Sequence, residues 1–389
     1  MREGWEYKKL GEIGNIVTGS TPSTKDESNY SPREYCFVKP SDLPSKGIAN
    51  IKETEYYVSK KGLSRSRVLP SGSVLVSCIG SIGKIGILTK EACSNQQINA
   101  IIPNNGIDSK FIAYIICAYR FLLESIANAP VVPIINKTDF SKIAIPIPPK
   151  FTQLAIVSEL DKINELIRLK KEQLKDFDNL AQSLFYEMFG DPVENEKGWE
   201  VKMLGDVCTD ITDGDHMPPP KSEYGIPFIT ISDIDKESRS LNFENTYYVP
   251  IDYYNKLKEN RKARIGDLLY TVTGSYGIPV IVKTDKQFCF QRHIALLRPN
   301  IEILSTIFLY YWMLNDGVKF MADKVAKGIA QKTVGLNSIR KFSCILPPLP
   351  LQHLFAHRIE QIEHQKSEVQ KAITDLETLL ASRMQYWFE

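Results

Sequence analysis

The chain has 389 residues, 43% of them hydrophobic and 24% charged, with a formal net charge of +2. This is the make-up of a globular protein of two or three domains, and a charge so near zero excludes a bulk electrostatic field for nucleic acid. No run of about 18 apolar residues occurs, which argues against a membrane-spanning helix.

The N-terminus is polar and lacks the apolar core of a secretory signal. The first stretch of about 150 residues carries 19 Lys/Arg against 13 Asp/Glu, so any affinity for DNA belongs to a local surface here. Within it "SVLVSCIG" (73–80), "GKIGILT" (83–89) and "NAIIP" (99–103) are short β-rich runs bounded by Gly and Pro, read as strands. "SKFIAYIICAYRFLLESIA" (109–127) reads as one amphipathic helix. These predict an α+β globule with one small twisted sheet. "GSIGKIG" (80–86) lacks the spacing of a phosphate-binding loop and reads as a turn.

Next comes "IPPK", and Pro is tolerated where a helix starts. Ile156, Leu160, Ile163, Ile167, Lys170, Leu174, Phe177, Ala181, Leu184 and Met188 then recur in alternating steps of four and three. That is a heptad seam sustained for about 50 Å, the mark of a coiled coil.

From residue 191 the chain repeats itself, and internal repeats outrank other signals. "GWEVKMLGD" (198–206) answers "GWEYKKLGE" (4–12), and "FITISDI" (228–234) answers "FVKPSDL" (37–43). "YYV" recurs at 247–249 after 56–58, and "GDLLYTVTGSYG" (266–277) answers "GSVLVSCIGSIG" (72–83). "FQRHIALLRPN" (290–300) resembles "NQQINAIIPN" (95–104), and "LSTIFLYYWMLNDGVKFMA" (304–322) reads as a second helix. "CILPPLPLQ" (344–352) answers "IPIPPKFTQ" (145–153). The seam returns at Phe355, Ile359, Ile362, Lys366, Val369, Ile373, Leu376, Leu380, Arg383 and Trp387. The order of parts is therefore globule 1–150, helix 151–190, globule 191–350 and helix 351–389. Two similar helices in one chain pair most simply with each other. Antiparallel pairing would relate the two α/β globules by a pseudo-two-fold axis, a symmetry suited to duplex DNA with paired half-sites.

The seven cysteines are scattered and none lies in a CxxC, so they read as reduced cytosolic thiols rather than disulfides or a zinc site. His353 and His357 are spaced i, i+4, but "HLFAH" lacks a metalloprotease glutamate and reads as two solvated helix residues, not a metal site.

The ordered set resembles the specificity subunits of Type I restriction–modification systems. It comprises "GWE.K.LG" twice, "TGSTPS" (18–23), the paired Gly-Ser-x-Gly and Gln blocks, and Pro-Pro before each heptad helix. The resemblance covers essentially the whole chain. It implies two target-recognition domains, each reading one half of a split DNA site, with the helices setting the gap. It implies methyltransferase subunits and a translocating restriction subunit as partners. S-adenosylmethionine, and ATP with magnesium in the full enzyme, would be bound by those partners and none by this chain, in the cytoplasm. Exposed parts of the seam would support self-association of the isolated chain.

Base edges are read by donors and acceptors on polar, Gly-rich loops that differ between the repeats. In the first globule these are Thr18, Ser20, Thr21, Ser23 and Lys25, then Ser81 and Lys84, then Asn95, Gln96 and Gln97. In the second they are Asp213, Asp215, His216 and Lys221, then Thr273, Ser275 and Tyr276, then Gln291, Arg292 and His293. Hydroxyls and lysines suit phosphate, which orients without specifying. Asp213 and Asp215 would be repelled by phosphate unless they accept from a cytosine amine or hold an arginine. Gln291 and Arg292 could instead sit half-buried at a strand edge. Two rivals stand beside this reading. An adenine methyltransferase would need Asp/Asn-Pro-Pro-aromatic around a flipped base, and "IPPK", "MPPP" and "LPPL" do not supply it. A two-domain scaffold for protein or sugar on a coiled coil would lack salt-steep DNA binding.

Overall fold

The structure is a computed structural model that describes residues 2–127, 132–214, 219–328 and 331–388. It divides into two compact units, Met1–Lys171 with Lys371–Glu389, and Glu172–Gln370.

In the first unit the three runs read as strands do form strands, all in one larger sheet, and a second sheet is built from other segments. Gly14–Thr18, Ile98–Pro103, Val74–Ser77, Ile85–Leu88 and Ile48–Ile51 lie side by side in that order, antiparallel except for the last pair. A second sheet has Tyr35–Val38 between Tyr56–Val58 and Ala92–Ser94. The alternation of side chains along a strand explains the pair. Val74 and Val76 pack with Phe111, Ile112 and Ile115 of the helix Ser109–Ala118, whereas Leu75 packs with Cys36, Val38 and Leu43 under the second sheet. A strand covered on both faces reads as an unbroken apolar run, and Val74–Ser77 is buried throughout.

The second unit repeats this plan. Cys208–Asp213, Ile294–Pro299, Leu268–Thr271 and Pro279–Ile281 make an antiparallel sheet. Ile226–Ile229 lies between Tyr247–Val249 and Cys289–Phe290. Here Ile234–Asp235 and Ser240–Leu241 pair with each other.

Each long stretch read as one packing helix is in fact two. The first is Ser109–Ala118 followed by Arg120–Ile126, and the second Thr306–Leu314 followed by Asp316–Val325. Asn315 takes an extended ψ of 138° and its side chain accepts from the Gly317 amide, a cap for which Asn is well suited. At the other break Tyr119 donates from its hydroxyl to the Phe388 carbonyl, 3.1 Å away.

The heptad stretches are helices Lys150–Phe189 and Leu349–Phe388, each of 40 residues, and all seam positions are buried or half-buried. In the first unit Trp387 donates to Glu159 at 3.0 Å and Lys171 pairs with Glu377 at 2.8 Å. In the second, Lys366 pairs with Asp178 at 2.7 Å, and Phe185 and Phe189 ring Phe355. Rising numbers on one helix meet falling numbers on the other, so the pair is antiparallel. Each helix is fastened to its globule by a buried glutamine. Gln153 donates to the Pro148 carbonyl at 2.9 Å and accepts from the Asp108 amide at 2.9 Å. Gln352 does the same with Pro347 and Ser305 at 2.8 Å each. His353 and His357 are exposed on the second long helix. Among the described residues no helix is long and apolar enough to cross a membrane.

Candidate nucleic-acid interface

In the first unit three candidate loops converge at one end of the larger sheet. Strand Gly14–Thr18 runs into Gly19, whose amide donates to the Ile98 carbonyl at 2.9 Å, and the Ser20 amide donates to Ser94 at 2.8 Å. A Cβ on Gly19 would lie 2.0 Å from the Asn95 carbonyl oxygen, so no side chain fits there. Thr18 donates to Asn99 and Thr21 to Gln96, both at 2.7 Å. Asn95 and Gln97 bond to each other at 2.8 Å, and the Cys78 amide donates to the Gln97 carbonyl at 2.8 Å. This last bond brings in the turn 78–84, where the Ser77 hydroxyl accepts from the Lys84 amide. Ser81 is exposed on that turn, and Lys84 is half-buried with its ammonium on the Pro40 carbonyl, 3.2 Å away. Ser23 and Lys25 are exposed on the first loop.

The second unit builds the same meeting point from different residues. A Cβ on Gly214 would lie 1.9 Å from the Phe290 carbonyl oxygen. The Gln291 amide donates to Ile229 and the Val272 amide to His293, both at 2.9 Å. The turn 272–278 repeats the earlier one, with Thr271 accepting from the Ile278 amide in place of Ser77. Ser275 is exposed and accepts from Lys236 at 3.0 Å, and Tyr276 donates to Asp323 at 2.6 Å. Arg292 is exposed beside His293, and burial together with that guanidinium lowers the His293 pKa below 6.5. Gln291 is half-buried, in the turn before Ile294–Pro299. Asp213 holds Arg261 at 3.5 Å, one of the two conditions on which it could face DNA. The Lys221 ammonium lies over the Tyr247 ring. Asp215 and His216 lie outside the described residues.

Two candidates are buried. Asn95 is 7% exposed and Thr273 5%, and the first spends its amide on Gln97, the second its hydroxyl on Thr333. They shape their turns. Sequence reasoning missed a fourth strip in each unit. Gly80 donates to Pro133 and Ile135 to Cys78, as Gly274 donates to Lys332 and Val334 to Val272. It also missed Arg67, which donates to the Thr18 carbonyl at 2.6 Å, and Lys236. The available signal was position. Residues 132–136 and 331–335 precede the matching strands Ala144–Ile147 and Ser343–Leu346 in the two repeats.

The duplication and its geometry agree with a comparison to known proteins. Residues 2–176 and 196–378 match the family model described as the Type I restriction modification DNA specificity domain. The chain belongs to this family. As a member it is 24% identical to the MjaIX specificity subunit of Methanocaldococcus jannaschii, over 96% of this chain and 90% of that one. It is 20% identical to the EcoBI specificity subunit of Escherichia coli, over 96% and 82%. Its fold is shared with a chain solved for the complex assembly and conformational transition of the type I R-M system, with a TM-score of 0.63 at 20% identity over 99% and 97%. It is shared also with the type I S subunit from M. genitalium, with a TM-score of 0.53 at 12% identity over 99% and 96%.

Proposed function

We propose that this specificity-domain chain selects the DNA site of a Type I restriction–modification enzyme, each unit reading one half of a split sequence. The supporting observation is that the same loops converge at the same sheet end in both units, held by matching backbone bonds, while their exposed side chains differ. A conserved frame with variable tips is what two readers of different sequences need. Thr21, Gln96 and Ser81 in the first unit, and Ser275, Gln291 and Arg292 in the second, carry the exposed or half-exposed polar groups suited to base edges. Lys25, Arg67, Lys221 and Lys236 suit phosphate.

The paired helices fix the spacer between the half-sites and dock methyltransferase subunits; restriction subunits join in the full enzyme. Catalysis, S-adenosylmethionine, ATP and magnesium belong to those partners. The complex works in the cytoplasm, where the DNA is. The test is the methylome of a host carrying an active methyltransferase partner, with and without this chain. A split adenine-methylated motif that appears only with the chain is expected. No new motif, from a partner shown to be active with another specificity chain, would favour a non-DNA scaffold.

A further inference from the structure

The duplication extends to the short helix beside each loop cluster. "RFLLESIA" (120–127) answers "KFMADKVA" (319–326), 199 residues later, the spacing that also separates "IPIPPKFTQ" from "CILPPLPLQ". Leu123 and its counterpart Ala322 are buried in the cores of their units. Phe121 and Phe320 stand two residues earlier, about 200° around the helix, and so point away from those cores. Phe121 is 82% exposed and Phe320 56%. Both copies of the repeat thus hold a phenyl ring out in solvent at the same place, each directly after a basic residue.

The place is the edge of the loop cluster. A Cβ on Gly83 would lie 2.9 Å from Cγ of Arg120, and one on Gly277 would lie 4.0 Å from Cγ of Lys319. The chain beyond each helix returns to the same turn. The Gly80 amide donates to the Pro133 carbonyl at 2.9 Å, and the Gly274 amide to Lys332 at 3.0 Å. In the second unit Tyr276 of the turn also donates to Asp323 of the helix. The charge around both rings has one sign. Residues 18–25, 78–84, 95–97 and 132–137 contain Lys25, Lys84 and Lys137 and no carboxylate. Residues 272–278, 291–293 and 331–335 contain Arg292 and Lys332 and no carboxylate. The Lys324 ammonium lies 4.4 Å from the centre of the Phe320 ring.

We infer that Phe121 and Phe320 are wedges, each inserted into the DNA base stack beside the half-site of its own unit, resting on the DNA-reading role proposed above. A group kept in both units does not tell two half-sites apart, so it meets something the half-sites share. A phenyl ring offers no hydrogen bond to phosphate or base edge, but every base has a face on which it stacks. Inserted apolar side chains partly unstack a base step and bend the duplex onto more protein surface. A protein surface would also cover a phenyl ring. The basic, carboxylate-free segments around these two favour a polyanion.

The test uses the full chain assembled with its methyltransferase subunits. The probe is a duplex carrying the motif that the methylome defines. 2-Aminopurine is placed in turn at each step in and beside the half-sites, except at the methylated adenines, and its fluorescence rises where bases unstack. Phe121→Ala should abolish the rise at the first half-site and keep it at the second, and Phe320→Ala should do the reverse. Each should weaken binding of this duplex about tenfold, with the melting temperature of the chain unchanged because the rings are exposed. Phe121→Leu, still an apolar wedge, should keep most of the signal and the affinity. Loss of methyltransferase from the complex of a variant that melts like its parent would overturn the wedge in favour of a protein contact. Equal fluorescence and affinity in parent and variants would overturn the wedge and leave the reading of half-sites intact. A parent complex that binds this duplex no better than a scrambled one would overturn that reading, and the wedge with it.

Discussion

A methyl group on Gly19 or Gly214 would press into a carbonyl oxygen on the turn beside it. Neither residue has positive φ, so the demand is for space and not for backbone freedom. Gly19→Ala should destabilise the chain by about 1–3 kcal/mol and disturb the first half-site alone. Gly335→Ala, which meets nothing within 4 Å, should change little; melting curves and half-site binding check both. Arg298 spans Asp267 at 2.8 Å and Asp210 at 3.1 Å, and Asp267 is 3% exposed. Arg298→Ala strands a buried carboxylate and should cost about 3–5 kcal/mol. The first unit has Ile102 and Ser73 at these places. The double change Arg298→Ile, Asp267→Ser should therefore be milder than Arg298→Ala by itself, as chemical denaturation of the two variants would show.

At the scale of elements the long helices combine an apolar seam with a few ionic marks. Lys366 is half-buried between Asp178 and Glu363, and a polar seam position fixes register at some cost in stability. Hydrogen bonds from Arg383, then from Trp387, hold the Glu159 carboxyl below its usual range. A depressed carboxylate contributes stability above its unfolded value of about 4.5, and that contribution is lost as pH falls through the lower folded value. Trp387 fluorescence should therefore shift in acid below about pH 4.5, and Glu159→Gln should flatten that part of the profile. Deleting one heptad from both helices, about 10 Å of each, should shorten the spacer in the methylated motif and leave both half-sites unaltered. An unchanged spacer would rule out a helical ruler.

For the whole molecule, the prediction is independence of the two readings. Each unit has its own cores and its own loop cluster. Replacing residues 191–345 with the second domain of another family member should change one half-site only, as the methylome would record. A change in both would show that the domains read jointly. Binding should also weaken steeply with salt, since Lys and Arg contacts to phosphate release counterions.

The sequence by itself determined the duplication, the heptad helices, the strands and the family, because these are periodic or repeated signals that survive without any contact being known. It also exposed the loops that differ between repeats. The tertiary structure alone decided which of their residues face outward. Asn95 and Thr273 look like readers on the chain, but backbone from distant segments closes over them. The division of strands between two sheets, and the breaks at Tyr119 and Asn315, were likewise set by long-range partners.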